Sequence, residues 1–330
     1  LTYLILLTAG RALVNVLRAI AFWQSETCID FRLHTTEQQF IQFIGNDEGC
    51  WSTVGKDDTL GRQVVSIGKG CEHGFSMNSH DTIVMPPLGS TRTLSHQNFS
   101  SISTSKLAVT TLQISRRELN TYQLPYDVGS VMHYTPKEFS SYKKIPALTT
   151  VDPYLQQTMG QLEGPSFLDV MLLNLHYNCT DRCPRSPTCQ NGGFVDSRDC
   201  SRCKCPSGYG GALCDTVQTS FTKHCGGELF AHEAVRRFDI TIKQIGKKKT
   251  KQCFYHLKAP EGKRVLVNII RVQGRCIEGC WEDGVEFKMT LDPRPGSIPI
   301  NLRLKLKGVF IFGHTSVITD VGTSVFISKG

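Results

Sequence analysis

The sequence predicts an α+β chain of three units: a mixed first domain, a small disulfide-rich module and a β-sandwich. Three observations support this division. Helical and strand-like patterns mix in the first half, apolar residues are scarce in a cysteine-dense middle stretch, and apolar and polar residues alternate in the last third. The fourteen cysteines also fall into three sets of even number, which three separately bridged domains would give.

Length and composition narrow the class of protein. At 330 residues the chain can form two or three domains. The net charge of +8 is moderate, and its densest run, residues 246–251, is better explained as a solvated loop than as a polyanion or membrane-surface site. No nucleic-acid partner is therefore expected. So many cysteines indicate an oxidising compartment, hence a secreted, extracellular protein.

The apolar opening, LTYLILLTAG, has the flavour of a signal peptide but lacks an initiator Met and a basic segment. It is interpreted as the ragged start of an incomplete chain. It is too short to span a bilayer, and no later segment is predicted to do so.

The cysteine sets differ in spacing. The first is spread out, the second is crowded and the third comes last: Cys28, Cys50, Cys71 and Cys179; Cys183, Cys189, Cys200, Cys203, Cys205 and Cys214; Cys225, Cys253, Cys276 and Cys280. A zinc ribbon is a weak interpretation of the crowded set, because its spacings are not two matched C-x-x-C knuckles. Glycosylation sequons at Asn98 and Asn178 agree with secretion but are common by chance.

Periodicity predicts two helices and two strands in the first unit. Residues 11–23 and the residues after Ser166, which can cap a helix ending at Tyr177, are predicted to be helical. Residues 28–33 and 62–67 are strand candidates. The apolar stripes of the two helices are Leu13, Val16, Leu17, Ile20 and Trp23, and Leu168, Met171, Leu172 and Leu175.

The middle and last units have different sources of stability. Residues 178–215 supply turn glycines and few apolar residues, so the module must depend on covalent bridges, each contributing roughly 2–4 kcal/mol. After a short linker at residues 217–223, the segments CFYHLKAP and RVLVNIIRV are predicted to be strands of an antiparallel sandwich.

Several stretches carry a family resemblance. FWQSETCIDF, GCWSTVGK, GRQVVSIGKGCEH, LPYDVGSVMHYTPKEFS and DPYLQQTMGQLEGPSFLDVMLLNLHYNC are similar to the astacin-type (metzincin) catalytic domain. The middle block resembles an EGF-like module and the last block a CUB domain, an order most similar to nematode astacin-like zinc metalloproteinases. The resemblance implies an N-terminally incomplete peptidase domain at 1–179, EGF-like at 180–215 and CUB at 225–330. Residues 74–113 and the C-terminal part after Arg294 depart from the pattern.

The resemblance also implies which cysteines are paired. Four disulfides follow from the family pattern: Cys28–Cys179, Cys50–Cys71, Cys205–Cys214 and Cys225–Cys253. The disulfide Cys28–Cys179 would close the whole catalytic domain. The chain-entropy model assigns such a long loop a stabilisation of more than about 4 kcal/mol.

In astacins, H-E-x-x-H-x-x-G-x-x-H supplies zinc ligands and a general-base Glu, and the zinc activates a water molecule. The resemblance makes Met132 the residue beneath the metal and Tyr134 an additional zinc ligand that also stabilises the oxyanion. Considered by itself, SVMHY is more simply a buried strand-turn pair, but the longer match favours the Met-turn. His133 is predicted to be structural.

The chain contains no H-E-x-x-H. His73, His80 and His96 occupy the segment where the zinc helix belongs, but their spacing cannot gather them on one helix face. Pro86 and Pro87 would also break that helix. His80-Asp81 imitates the start of the motif, but Val84 stands at the position of the second His. We therefore transfer neither the His ligands nor the catalytic Glu.

Two explanations remain open for the missing helix. Either the protein has lost its zinc, or the segment results from a shifted reading frame. Back-translation from the third base of the Ser76 codon permits His-Glu-Leu, and residues 84–91 treated likewise permit His-Ala followed by Gly-Phe-Tyr. The shifted spelling has one residue too many before the Gly, and its two pieces lie too far apart, so a further insertion would be needed.

Two functions follow from these alternatives. The first is a secreted zinc endopeptidase that cleaves extracellular, matrix or cuticle proteins and is inactive as written. The second is a non-catalytic secreted protein that binds partners through its EGF-like and CUB modules. Glu282, Asp283 and Glu286 are calcium candidates in the CUB block, although a solvated acidic turn is the better interpretation.

Overall fold

The structure is a computed structural model. It describes residues 1–6, 10–45, 49–52, 61–68, 99–101, 120–138, 140, 142, 145–220, 225–231, 236–240, 252–261, 265–272, 279, 285–288, 292–295, 298–300, 309–312, 315–319 and 323–329.

In its described residues, the first unit combines a mainly parallel sheet with two α-helices. Its strands are β1 (Thr2–Leu6), β2 (Arg32–Leu33), β3 (Phe40–Ile44), β4 (Cys50–Ser52), β5 (Arg62–Ile67), β6 (Phe99–Ser101) and β7 (Leu148–Thr150). The main sheet has the order β2-β1-β3-β5-β4, in which β4 runs antiparallel to β5 and the other neighbours are parallel. Strands β6 and β7 form a separate antiparallel pair. The opening stretch, interpreted from sequence as a ragged start, thus supplies a strand of this sheet.

Helix α1 (Arg11–Glu26) packs on the main sheet and extends three residues beyond its prediction. Val16, Ile20 and Trp23 are buried with side chains of β3 and β5, as the apolar stripe predicts. Leu17, however, is 45% exposed. It lies about 100° around the helix from Val16, which takes it off the core-facing side.

Helix α2 (Phe167–His176) begins after Ser166, as predicted, and ends one residue before the predicted end at Tyr177. The Ser166 hydroxyl accepts a hydrogen bond from the Asp169 amide, and the Asp169 carboxylate accepts one from the Ser166 amide. This capping box satisfies two amides that the first helical turn leaves without partners. Among the described residues, two 3-10 helices flank α2 in the chain: Pro153–Thr158 and Cys179–Arg182.

The predicted strand at residues 28–33 is wrong for most of its length, since β2 contains Arg32 and Leu33 only. In residues 28–31, side chains from elsewhere, instead of a neighbouring strand, form hydrogen bonds with backbone groups. The Phe31 amide donates to the Gln24 side chain at 2.8 Å, and the Ile29 carbonyl accepts from Arg198 at 2.9 Å. The alternation of polar and apolar residues does not indicate such side-chain partners, so the pattern predicts a strand that does not form.

The middle module consists of short antiparallel pairs held by disulfides. Its strands are β8 (Phe194–Val195), β9 (Cys203–Lys204), β10 (Tyr209–Gly210) and β11 (Thr216–Val217). The disulfides inside it are Cys183–Cys200, Cys189–Cys203 and Cys205–Cys214. The structure therefore supplies the two pairings that the sequence left open.

The described part of the last unit forms two mainly antiparallel sheets. Its strands are β12 (Gly227–Phe230), β13 (Arg236–Ile240), β14 (Cys253–Lys258), β15 (Val265–Val272), β16 (Val285–Lys288), β17 (Ile298–Ile300), β18 (Val309–Phe312), β19 (Thr315–Thr319) and β20 (Thr323–Lys329). The sheet orders are β12-β14-β19-β16-β17 and β13-β20-β15-β18. The predicted strands beginning near Cys253 and Val265 are confirmed as β14 and β15. Of the strands after Arg294, β19 and β20 each occupy an interior position in one of the sheets, and β17 and β18 lie at edges.

Between described residues, two further disulfides join parts of the chain that are distant in sequence. Cys28 and Cys179 are bonded with their Cα atoms 5.2 Å apart, and Cys225 is bonded to Cys253. Cys50 is disulfide-bonded, but Cys71 lies outside the described residues. Among the described residues, no helix has the length and hydrophobicity needed to cross a membrane.

Candidate functional site

The candidate site is the double turn at residues 126–134, where the sequence predicts the Met-turn. The buried Asp127 carboxylate accepts from the Gly129 amide at 3.0 Å, and the Asp127 carbonyl accepts from the Ser130 amide at 3.2 Å. A second turn follows at once, since the His133 amide donates to the Ser130 carbonyl at 3.0 Å. Asp is suited to this position because its side chain can accept from a backbone amide two residues ahead.

Asp169 of α2 fixes this double turn from the side. Its carboxylate accepts from the Ser130 hydroxyl at 2.6 Å and from the Val131 amide at 3.2 Å, in addition to the Ser166 amide at 2.9 Å. The residue is 4% exposed, so these hydrogen bonds replace the water that burial removes. One carboxylate thus caps α2 and clamps the turn, a role that sequence reasoning missed. The available signal was an acidic residue three positions after Ser166.

The predicted site residues lie together in the turn. The Met132 amide donates to the Ser130 hydroxyl oxygen at 3.1 Å, and the Met132 and Tyr134 side chains are half-buried. The His133 ring lies edge-on to Tyr126, and its Nδ1 is 2.8 Å from the Tyr134 carbonyl oxygen. Because a carbonyl accepts, that nitrogen is assigned the proton. This contact gives His133 a structural role.

A small apolar core supports the turn. Val128, Leu148 and Met159 are buried together, with Tyr126 and Leu155 packed against them. Met159 is fully buried, whereas Met132 is not. Gly160 follows with φ +77°, and a Cβ placed there would lie 2.6 Å from the Thr135 side chain. The site therefore depends on a glycine at this close approach.

The described histidines are dispersed. His34 lies against Phe40, the His176 Nδ1 is 2.8 Å from the Tyr122 hydroxyl, and the His256 Nε2 is 2.9 Å from the Gly208 carbonyl oxygen. Burial lowers the pKa of both His176 and His256, which favours their neutral forms.

A catalytic zinc site takes three protein ligands, usually His and acidic side chains. Within the described part of the chain, no three or more His, Cys, Asp or Glu side chains are gathered in a way that could hold a metal ion. His73, His80 and His96 lie outside the described residues. Tyr134 offers one phenol oxygen, and the full sequence has no H-E-x-x-H to add to it. The described residues therefore do not fit a catalytic zinc, and the sequence lacks the motif that would supply its ligands.

The last unit contributes a buried lysine near the turn. Lys288 is 6% exposed and donates to the carbonyls of Pro293 at 2.6 Å and Pro295 at 3.2 Å. Burial lowers the pKa of Lys288 from 10.5 to about 8, although the nearby carboxylates of Glu286, Asp127 and Asp292 act in the opposite direction. Lys288 and Gly129 also line a shared cleft of about 660 Å³.

This lysine gives a prediction for pH dependence. Between the folded pKa of about 8 and the unfolded pKa of 10.5, the unfolded chain binds more protons, so stability should rise with pH. The gain should approach about 3 kcal/mol at most. Urea unfolding at several pH values from 8 to 9 measures this gain, because tyrosine in the unfolded chain, with a pKa of about 10, remains largely protonated there. Lys288→Met should remove the slope, and an unchanged slope in that variant would contradict the assignment.

Comparison with known proteins identifies the family. The model of the family described as Astacin (Peptidase family M12A) matches residues 7–178, more than half of the chain. The chain belongs to the astacin family. The predicted family is thus confirmed, and astacins are zinc-dependent proteases, so this member is unusual in lacking the zinc-binding motif.

Two relatives from Caenorhabditis elegans are similar to this chain over part of their own length. The chain is 50% identical to zinc metalloproteinase nas-29 over 85% of its own length and 53% of that protein, and 40% identical to nas-23 over 84% and 52%. It thus spans about half the length of these relatives. The chain is also similar to a solved structure, the hatching enzyme zinc-protease HCE-1 of medaka (Oryzias latipes). The match covers 54% of this chain and 88% of the medaka chain, with 24% sequence identity and a TM-score of 0.44.

Proposed function

We propose that the gene product is a secreted astacin-type zinc endopeptidase acting on extracellular proteins, and that the chain as written is catalytically inactive. Family membership and the names of the relatives support the endopeptidase lineage. The abundant disulfides agree with secretion. The observation that carries the inactivity is the absence of H-E-x-x-H from the whole sequence.

In this proposal the three units are three different domains. Residues 1–179 are the peptidase domain, with 74–113 aberrant, 180–215 are the EGF-like module and 225–330 are the CUB domain. Met132 and Tyr134 are the floor and the oxyanion-stabilising ligand of a site whose metal ligands are missing. The exposed Asn178, at φ +47°, is the glycosylation candidate. Matrix or cuticle proteins are the substrate class.

The expected result for the 330-residue chain is neither bound zinc nor chelator-sensitive gelatin hydrolysis. Elemental analysis of the purified chain and a gelatin assay measure the two quantities. A chimera in which residues 72–113 are replaced by a segment carrying H-E-x-x-H-x-x-G-x-x-H is the matched control. It should bind one zinc per chain and cleave gelatin, because the turn and its Asp169 clamp are already in place. One tightly bound zinc in the unaltered chain would refute the proposal of inactivity.

A non-catalytic binding function is the second candidate, favoured by the absent ligands and general base. DNA sequencing across the codons for Cys71 to Arg117 separates the two. A shifted open frame that encodes the zinc helix supports the endopeptidase. An unshifted frame identical to the present sequence leaves binding through the EGF-like and CUB modules.

A further inference from the structure

At the C-terminal end of α1, Thr27 donates to the Trp23 carbonyl, but the Ser25 and Glu26 carbonyls take their hydrogen bonds from distant parts of the chain. The last carbonyls of any α-helix lack intrahelical partners, and cations are favoured near them by the helix dipole. The last turn of α1 contains no basic residue. Asn174 of α2 serves one carbonyl, donating to Glu26 at 2.9 Å.

The middle module supplies two cations to the same helix end. Lys204 Nζ donates to the Ser25 carbonyl at 3.1 Å and contacts the Glu26 carboxylate at 3.0 Å. Its side chain is 14% exposed, and it also lies 3.4 Å from the Asp196 carboxylate. Water therefore screens this lysine much less than a surface lysine.

Arg198 makes the second and more extensive contact. Its Nε donates to the Thr27 carbonyl at 2.7 Å, one terminal nitrogen donates to Ile29 at 2.9 Å, and the other lies 2.8 Å from the Asp30 carboxylate. A planar guanidinium can meet three acceptors at once, whereas an ammonium group cannot reproduce that geometry. The contact joins residues about 170 positions apart in the chain.

An apolar contact joins the same two units. Phe194 of the middle module packs against the buried core of the first unit, which includes Val170 and Leu173 of α2. Its ring centroid is 5.5 Å from that of Phe167, the first residue of α2. Since α2 also carries Asp169, the module supports the helix that clamps the candidate site.

We propose that this face of the middle module, defined by Phe194, Arg198 and Lys204, is an intramolecular docking surface for the first unit. Arg198 and Lys204 cap the C-terminal end of α1, although they lie far from it in the sequence. Phe194 completes the apolar core beside α2. These residues are occupied within the chain, so the module would recruit other proteins through a different face. The proposal does not depend on zinc or proteolysis.

The test is amide hydrogen exchange on the full chain. In Arg198→Met/Lys204→Met, exchange in the last turn of α1 should accelerate about 10- to 100-fold, the size expected when hydrogen bonds to charged groups are lost. Arg185→Met removes an exposed cation from the same module and should leave exchange in α1 unchanged. Equal exchange rates in these two variants would overturn the proposal.

A milder variant keeps the test decisive if the double variant does not fold. Arg198→Lys retains the positive charge but loses the three-way geometry, so it should give a smaller acceleration confined to the end of α1. No acceleration in Arg198→Lys, with α1 as protected as in the unaltered chain, also counts against the docking surface. Neither readout requires a metal, so this proposal and the proposed function can fail separately.

Discussion

Replacing both Cys28 and Cys179 by alanine is expected to lower the free energy of unfolding by about 5 kcal/mol. The disulfide joins residues 151 positions apart, so its loss releases a very long loop in the unfolded chain. Because Cys179 is 1% exposed, the substitution also leaves unfilled space beside the core. Urea unfolding followed by intrinsic fluorescence measures the effect, since Trp23 is buried in the first unit.

The matched control is Cys205→Ala/Cys214→Ala, which opens a loop of residues only nine positions apart. The same chain-entropy relation assigns this bridge about 3 kcal/mol. The long-range pair should therefore be the more costly one to remove. A smaller loss for the Cys28–Cys179 pair than for the control would show that the first unit does not depend on its closure.

Asp169→Ala is expected to destabilise the first unit by about 3 to 5 kcal/mol. The carboxylate accepts from the Ser130 hydroxyl and from two backbone amides, those of Val131 and Ser166. Truncation leaves these donors in a buried site without their acceptor, which costs more than the loss of an exposed hydrogen bond. Urea unfolding gives the size of the change, and faster exchange of the Val131 amide would locate it.

Two variants test the reasoning about Asp169. Asp169→Asn keeps one acceptor oxygen and should fall between the unaltered protein and Asp169→Ala. Glu138→Gln changes an exposed acidic residue close to the turn and should stay within about 0.5 kcal/mol of the unaltered protein. If Asp169→Ala were as stable as Glu138→Gln, the clamp would have no energetic importance.

Local patterns predicted the elements that local physics controls. The apolar stripe of α1 and the cap at Ser166 place both helices, because spacing and capping act within a few residues. The same reasoning failed at residues 28–33, where donors such as Arg198 come from another unit. It also placed Leu17 in the core, since a spacing rule does not set the width of the buried face.

The sequence by itself determined the family resemblance, the order of the three units and the absence of H-E-x-x-H, because each is a property of residues and their spacing. The tertiary structure decided which residues that are distant in the sequence come into contact. It paired the cysteines of the middle module, brought Asp169 to the turn and placed Arg198 at the end of α1. Such contacts join residues far apart in the chain, and their geometry exists only after the chain has folded.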